Sequence, residues 1–222
     1  MTKRLCISID VDSVASHLRG YGIRESSDLE SVYHIALPRI CECFEQLKVK
    51  ATFFVVAAEA VAFADSIRQL SVAGHEIASH SLSHPQGFSL LSPSQLQTEL
   101  TESKRVLETM VPGARIAGFR APSWSLSVAQ LELVAAAGYR YEASLIPSWI
   151  LPLMRTMIAR RRVTSVGDMT PASGGLSELS NLLTTRRLQR LNFPSGDLLR
   201  IPVASSPILR LPHYHTVSFS LP

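Results

Sequence analysis

The sequence predicts an α/β fold on a mainly parallel sheet, either closed into a barrel or open. Two observations carry that reading. β-rich runs and helical stretches alternate with short connections from residue 5 to residue 145, the pattern of successive strand–helix–strand units. The run over residues 50–56, Lys-Ala-Thr-Phe-Phe-Val-Val, is apolar for most of its length, as a strand covered on both faces must be. A chain of 222 residues, 46% apolar and 18% charged, can bury one sizeable core. A disordered or collagen-like chain is thereby excluded. No linker or internal repeat divides residues 1–222, which read as a single domain.

The elements follow in order. Leu5–Asp10 alternates and is β-rich, a first strand ending in acidic residues. Leu29–Leu47 reads as helix, with Pro38 marking a start or a kink. Residues 50–56 form the second strand. Ala58–Ala73 is helical in composition and meets its stop at Gly74. His75–Ser79 is a short third strand. Ser92-Pro93-Ser94-Gln95 opens a helix: Ser92 is the N-cap, Pro93 occupies the first turn and Gln95 completes a capping box. That helix runs to about Met110 and stops before Pro112-Gly113. Arg115–Arg120 is a strand. Ser127 and Gln130 make a second capping box before a helix over Val128–Ala137, closed by Gly138, and Tyr139–Leu145 returns to strand. From Pro147 the regularity fades, and Arg200–Ser205 and Tyr214–Leu221 read as strands.

Composition excludes several classes. No stretch approaches the roughly 18 apolar residues of a membrane-spanning helix. The N-terminal apolar run is cut at Asp10, too early for a signal-peptide core, so a cytoplasmic location is expected. Three cysteines do not make a disulfide framework, and Cys41 and Cys43 lie two apart on a helix, facing different sides. Charge is uneven. Residues 1–142 carry 13 Lys/Arg against 15 Asp/Glu, whereas residues 143–222 carry nine Arg, no Lys and three acids. That basic half reads as a solvated face or as a surface that meets phosphate or an anionic headgroup. Nucleic acid is not expected as a partner, because no aromatic-interleaved basic stripe or zinc-finger spacing occurs.

Three constellations could carry chemistry, each at a strand end, where α/β folds build their sites. In Ser8-Ile9-Asp10-Val11-Asp12-Ser13, two carboxylates two residues apart suit a cation, or a base beside a ligand, or plain loop caps. In His80-Ser81-Leu82-Ser83-His84, two imidazoles four apart would point the same way on one helical turn and could bind one metal. With Asp12 they form a two-His-one-carboxylate set suited to zinc or another divalent transition ion. In Gly118-Phe119-Arg120-Ala121-Pro122-Ser123-Trp124, the arginine could neutralise a buried carboxylate. The proline could set a following N–H toward a developing oxyanion.

These motifs, in this order, resemble those of the polysaccharide deacetylase family with the NodB-homology domain, in its Asp-x-Asp subgroup. The resemblance also takes in Ala51-Thr52-Phe53-Phe54-Val55 as a second strand. Tyr141-Glu142-Ala143-Ser144-Leu145 echoes a fourth motif, with Glu where the family has Asp. It covers residues 4–147. It implies a distorted (β/α) barrel with fewer than eight strands and one divalent metal, zinc being the expected ion, on Asp12, His80 and His84. It further implies Asp10 as the base, Arg120 orienting Asp10, the Ser123 N–H as oxyanion donor, and a late histidine as general acid. Pro122 and Trp124 then border the substrate, Trp124 standing where many members have Gly. The implied reaction is removal of an N-acyl group, acetyl or formyl, from an amino sugar.

Two other classes compete. A haloacid-dehalogenase-like phosphatase also ends its first strand in Asp-x-Asp, but it would leave the histidine pair without a role. A non-catalytic carbohydrate-binding relative would be expected to lose a base or a ligand, and Asp10, Asp12, His80 and His84 are all present. Residues 147–162 combine an apolar face, a Trp and a terminal Arg cluster, which fits peripheral membrane contact and a polyprenyl-phosphate-linked sugar. The late histidines are His213 and His215, on opposite sides of the expected strand, with His215 the better candidate for the acid. The last expected strand has no closing helix after it, so the sequence is read as a C-terminally incomplete version of a longer domain.

Overall fold

The computed structural model describes residues 6–19, 28–148 and 186–206. Among these, seven strands form one sheet: β1 (Ser8–Val11), β2 (Thr52–Val55), β3 (Glu76–Ser79), β4 (Gly118–Phe119), β5 (Tyr141–Glu142), β6 (Gln189–Phe193) and β7 (Gly196–Arg200). Their spatial order is β1-β2-β3-β4-β5-β7-β6. Every neighbouring pair is parallel except β6 and β7. The helices are α1 (Val14–Arg19), α2 (Leu37–Gln46), α3 (Ala57–Ala60), α4 (Ala64–Val72), α5 (Pro93–Met110) and α6 (Leu131–Ala136). Among the described residues no helix is long and apolar enough to cross a membrane.

Strand alternation divides the core in two. Val11, Phe53, Val55, Ile77 and Phe119 face the helices and pack with Leu100, Leu107 and Val134. Phe54, Ala78 and Ala143 form a second cluster, with Tyr141 and Ile201 against it. Register puts Asp10, Phe54 and Ala78 side by side on that second face. The two-sided burial explains why residues 50–56 carry almost no polar residue.

The caps act as expected. The Ser92 hydroxyl accepts from Gln95 N–H, the Ser92 N–H donates to the Gln95 side chain, and Pro93 stands in the first turn. Ser127 and Gln130 close the second capping box. Gly74 and Gly138 end their helices at φ of +84° and +80°, a conformation that glycine adopts without strain.

Several expectations need correction. The helix expected over Leu29–Leu47 opens with a π turn, Val32–Ala36, before α2, and Leu37 N–H donates to Val32 O. Pro38 sits in the first turn of α2 and has no N–H to donate, and α spacing resumes there after the π turn. The helix expected over Ala58–Ala73 is broken by a 3₁₀ turn at Val61–Phe63. There the Phe63 ring stacks on buried Tyr33 at 4.1 Å. β4 and β5 are two residues each, because Ala121 N–H is taken by the Ser144 side chain and Ser144 N–H by Glu142. In the C-terminal part, the strand expected at Arg200–Ser205 gives way to a hairpin of β6 and β7 around Pro194-Ser195, with Gly196 at φ +139°. The expected strand Tyr214–Leu221 and residues 149–162 of the expected membrane-contacting segment lie outside the described residues.

Gly118 is where a side chain has no room. A Cβ there would lie 2.1 Å from Tyr141 Cζ on the neighbouring strand. Gly118→Ala is expected to cost about 3 kcal/mol, the upper end of ordinary overpacking, read as a lower urea midpoint. An unchanged midpoint would mean that the Tyr141 ring moves aside at no cost.

Candidate active site

Parallel strands bring all their C-terminal ends to one side, and the chemistry-bearing residues gather there. Asp10 lies in β1, Asp12 just beyond it, His80 just beyond β3 and Arg120 just beyond β4. Arg120 Nη1 donates to Asp10 Oδ1 at 2.6 Å and Nη2 donates to Ser8 Oγ at 2.8 Å. In a flat sheet β1 and β4 would stand about 14 Å apart. Contact between them means that the sheet curls round this end. Arg120 Nε donates to Ala143 O at 3.1 Å. The guanidinium carbon lies 4.0 Å from the Phe54 ring centre and 4.3 Å from that of Trp124. The guanidinium is therefore fixed in its plane by three hydrogen bonds and across its plane by two rings. Asp10 Oδ2 takes no hydrogen bond from the described residues.

The two imidazoles converge, but not on a helical turn. Residues 80–85 are a loop, with Ser81 at φ +72° and His84 at φ +54°. The ring centres are 5.2 Å apart. Side chains hold this unusual backbone: Ser79 Oγ accepts from Ser81 N–H, and Ser81 Oγ accepts from His84 N–H. Glu99 on α5 accepts from Leu82 N–H, Ser83 N–H and the Ser83 hydroxyl at 2.9, 3.0 and 2.6 Å. Buried hydroxyls of Ser103 and Tyr139 back up Ser79. His80 Nδ1 is hydrogen-bonded to Arg120 O at 2.8 Å, which commits that nitrogen and leaves Nε2 for a ligand.

Burial pushes His84 down to about 4, helped by the charge of His80 and opposed by Asp12, Glu59 and Asp10. His84 is thus a neutral imidazole at pH 7, and its Nδ1 is buried without a hydrogen-bond partner. An orphaned nitrogen on a neutral ring, beside a second ring and the Asp12 charge, fits a divalent transition ion in donor type. As the side chains stand, no three His, Cys, Asp or Glu among the described residues are drawn together tightly enough to hold an ion.

The Arg120–Trp124 segment ends in a tight turn. Ser123 has φ +52°, ψ +21° and Trp124 has φ +59°. Pro122 is buried beneath the turn and Ser123 is exposed at its tip. Ser144 Oγ anchors the turn's entry through Ala121 N–H at 2.9 Å. Trp124, expected at the mouth of the site, lies over the Arg120 guanidinium. His213 and His215 lie outside the described residues.

The sequence model of the polysaccharide deacetylase family matches residues 30–142. The chain belongs to the polysaccharide deacetylase family. A peptidoglycan deacetylase of Helicobacter pylori is 27% identical over 158 residues, 68% of this chain and 53% of that protein. A chitooligosaccharide deacetylase of Sinorhizobium fredii is 31% identical over 85 residues, 38% of this chain and 39% of that protein. The chain spans about half the length of these curated relatives, or less. A solved polysaccharide-deacetylase-like protein of Mycobacterium smegmatis aligns with a TM-score of 0.63 at 22% identity, over 90% of this chain and 58% of that one. Puue allantoinase aligns at 0.54 and 20% identity, over 79% and 45%. Those likenesses show the fold: the sheet is a distorted (β/α) barrel with fewer than eight parallel strands, not closed through its described edges. Family membership also sets aside the phosphatase reading.

Sequence reasoning passed over four side chains that shape this deacetylase-family site. Glu59 and Glu99 look like ordinary helix-surface acids, yet each bonds a loop of the site. Phe54 reads as core, and its face covers Arg120. Arg200 sits in register with Glu142, and Arg200 Nε lies 2.6 Å from Glu142 Oε1 with both side chains buried. Glu142 therefore points away from Asp10 and ties the hairpin to β5, while its Oε2 accepts from Ser144 N–H. Alternation along the fourth motif could have signalled that outward face.

Proposed function

We propose that this protein is a metal-dependent hydrolase that removes an N-acyl group, acetyl foremost, from an amino sugar. The observation that carries the reading is the clamped pair of Asp10 and Arg120 at the same sheet end as His80 and His84. Its family and its relatives named for peptidoglycan and chitooligosaccharide deacetylation support a carbohydrate substrate. Asp12, His80 and His84 would hold the ion, zinc by preference for imidazole donors. When bound, the ion supplies Lewis acidity toward the acyl carbonyl.

The remaining steps fall to the chain itself. Asp10 Oδ2 accepts a proton from the attacking water. Arg120 holds the Asp10 carboxylate through Oδ1, so that Oδ2 keeps one direction. The Ser123 N–H, carried on the left-handed turn, donates to the oxygen that gains charge as the carbonyl becomes tetrahedral. The amine leaves with a proton from a late histidine, His215 in our sequence reading. The nine arginines against three acids after residue 142 suit a sugar that carries a phosphate. A polyprenyl-phosphate-linked sugar at the inner face of a cytoplasmic membrane would be one.

Acetate release from N-acetylglucosamine oligomers, measured with and without added zinc, tests the reaction. His84→Ala is expected to lose stoichiometric metal by elemental analysis and to lose acetate release with it. Full metal retention in that variant would sink the ligand assignment. Oligomer binding with no acetate release by the metal-loaded wild type would favour the non-catalytic carbohydrate-binding reading.

A further inference from the structure

Glu59 has no role in the reaction above, yet it stands between the two loops that make the site. It lies on α3, the single turn that follows β2 directly. The histidine loop meets the start of that turn: Ala57 N–H donates to Ser81 O at 3.1 Å and Ala58 N–H to Leu82 O at 2.9 Å. The aspartate loop meets its side chain. Ser13 N–H donates to Glu59 Oε2 at 3.0 Å, the Ser13 hydroxyl to Oε1 at 3.0 Å, and the Ser16 hydroxyl also to Oε1. Ser13 is the residue directly after Asp12 and is itself fully buried. Both Glu59 and Asp12 act electrostatically on His84 and on the buried Tyr33 hydroxyl. The backbone of α3 thus holds the histidine loop while its Glu59 side chain holds the aspartate loop.

We propose that Glu59 is a positioning residue: through Ser13 and Ser16 it fixes the Asp12 loop against the His80–His84 loop, so that both present their donors to one divalent ion. This rests on the metal-dependent reading given above. Groups that hold ligands in place commonly change metal affinity by about 10- to 100-fold when removed. The role needs hydrogen bonding and no charge. A glutamine can turn its Oε1 to Ser13 N–H and its NH₂ to the two hydroxyls, which accept as readily as they donate. Glu59→Gln should then preserve what Glu59→Ala removes.

Zinc titration calorimetry on the metal-freed full chain tests this, with thermal midpoints recorded for each variant. Wild type is expected to take one equivalent, and Glu59→Ala to bind at least about tenfold more weakly. Glu59→Gln should stay within about threefold of wild type, because its amide keeps the bonds to Ser13 and Ser16. Should Glu59→Ala fail to fold, Ser13→Ala with Ser16→Ala removes the hydroxyl bonds from the opposite side, and the same weakening is expected. Wild-type affinity in either alanine variant overturns the inference while the metal reading stands. Glu59→Gln as weak as Glu59→Ala overturns it too, because the charge would then be what matters. A wild type that binds no zinc overturns the metal reading itself, and this inference with it.

Discussion

Asp10→Asn is expected to lower acetate release by about 10²-fold or more, the ordinary contribution of a general base, while the protein still takes one equivalent of metal. Asparagine has the same shape as aspartate. Its carbonyl oxygen can still accept from Arg120 Nη1, which lies 2.6 Å from Asp10 Oδ1 in the native protein. Its amide nitrogen then stands at Oδ2, where it cannot take a proton from water. The substitution therefore removes proton acceptance and leaves the clamp in place. The loss should appear in kcat with little change in KM, because a group that acts only in the transition state contributes little to ground-state binding. Elemental analysis of the same sample separates the two aspartates. Loss of metal in Asp10→Asn would assign the ligand role to Asp10 and the base to Asp12. A wild-type rate would place the base elsewhere.

The alternation of strands and helices was legible because its signals are local. The Ser92–Gln95 capping box lies within four residues, and the helix begins where it says. Residues 50–56 announce a doubly covered strand by composition alone. The hairpin of β6 and β7 was missed although residues 189–193, Gln-Arg-Leu-Asn-Phe, alternate strictly in burial. At a sheet edge only one face is covered, so arginine and asparagine dilute the apolar signal, and Pro194 looks like a break. In the site, the residue types were legible and their support was not. His80 and His84 were paired by helical spacing, but a loop with two left-handed residues brings them together. That backbone is held by the Ser79 and Ser81 hydroxyls within it and by Glu99, 16 residues from Ser83, which accepts its amides. Glu59 is 46 residues from Ser13. Nothing in a linear sequence marks an acid on one element as the acceptor for amides on another.

Arg120→Lys is the substitution that asks whether charge or shape matters at the clamp. Lysine keeps the positive charge but presents one compact ammonium in place of a planar fork. The native side chain points three donors in three directions: to Asp10 on β1, to Ser8 on the same strand and to Ala143 after β5. It is 5% exposed, so bonds that are lost cannot be replaced by bulk water. An ammonium that reaches Asp10 would leave the buried Ala143 O without its donor, at about 1–3 kcal/mol for a buried group, and would lose the bond to the exposed Ser8. It would also lose the flat faces that lie against Phe54 and Trp124. Asp10 would keep a neighbouring cation and lose its fixed plane, and a base that can rotate is misplaced for the water it must deprotonate. The expected result is a fall in kcat of about 10²-fold, a lower urea midpoint, and zinc affinity close to wild type. Zinc binding should persist because His80 is held by the backbone oxygen of residue 120, which the substitution leaves in place. A lysine variant that turns over at the wild-type rate would show that the cation alone suffices and that the stacked, forked geometry serves folding only.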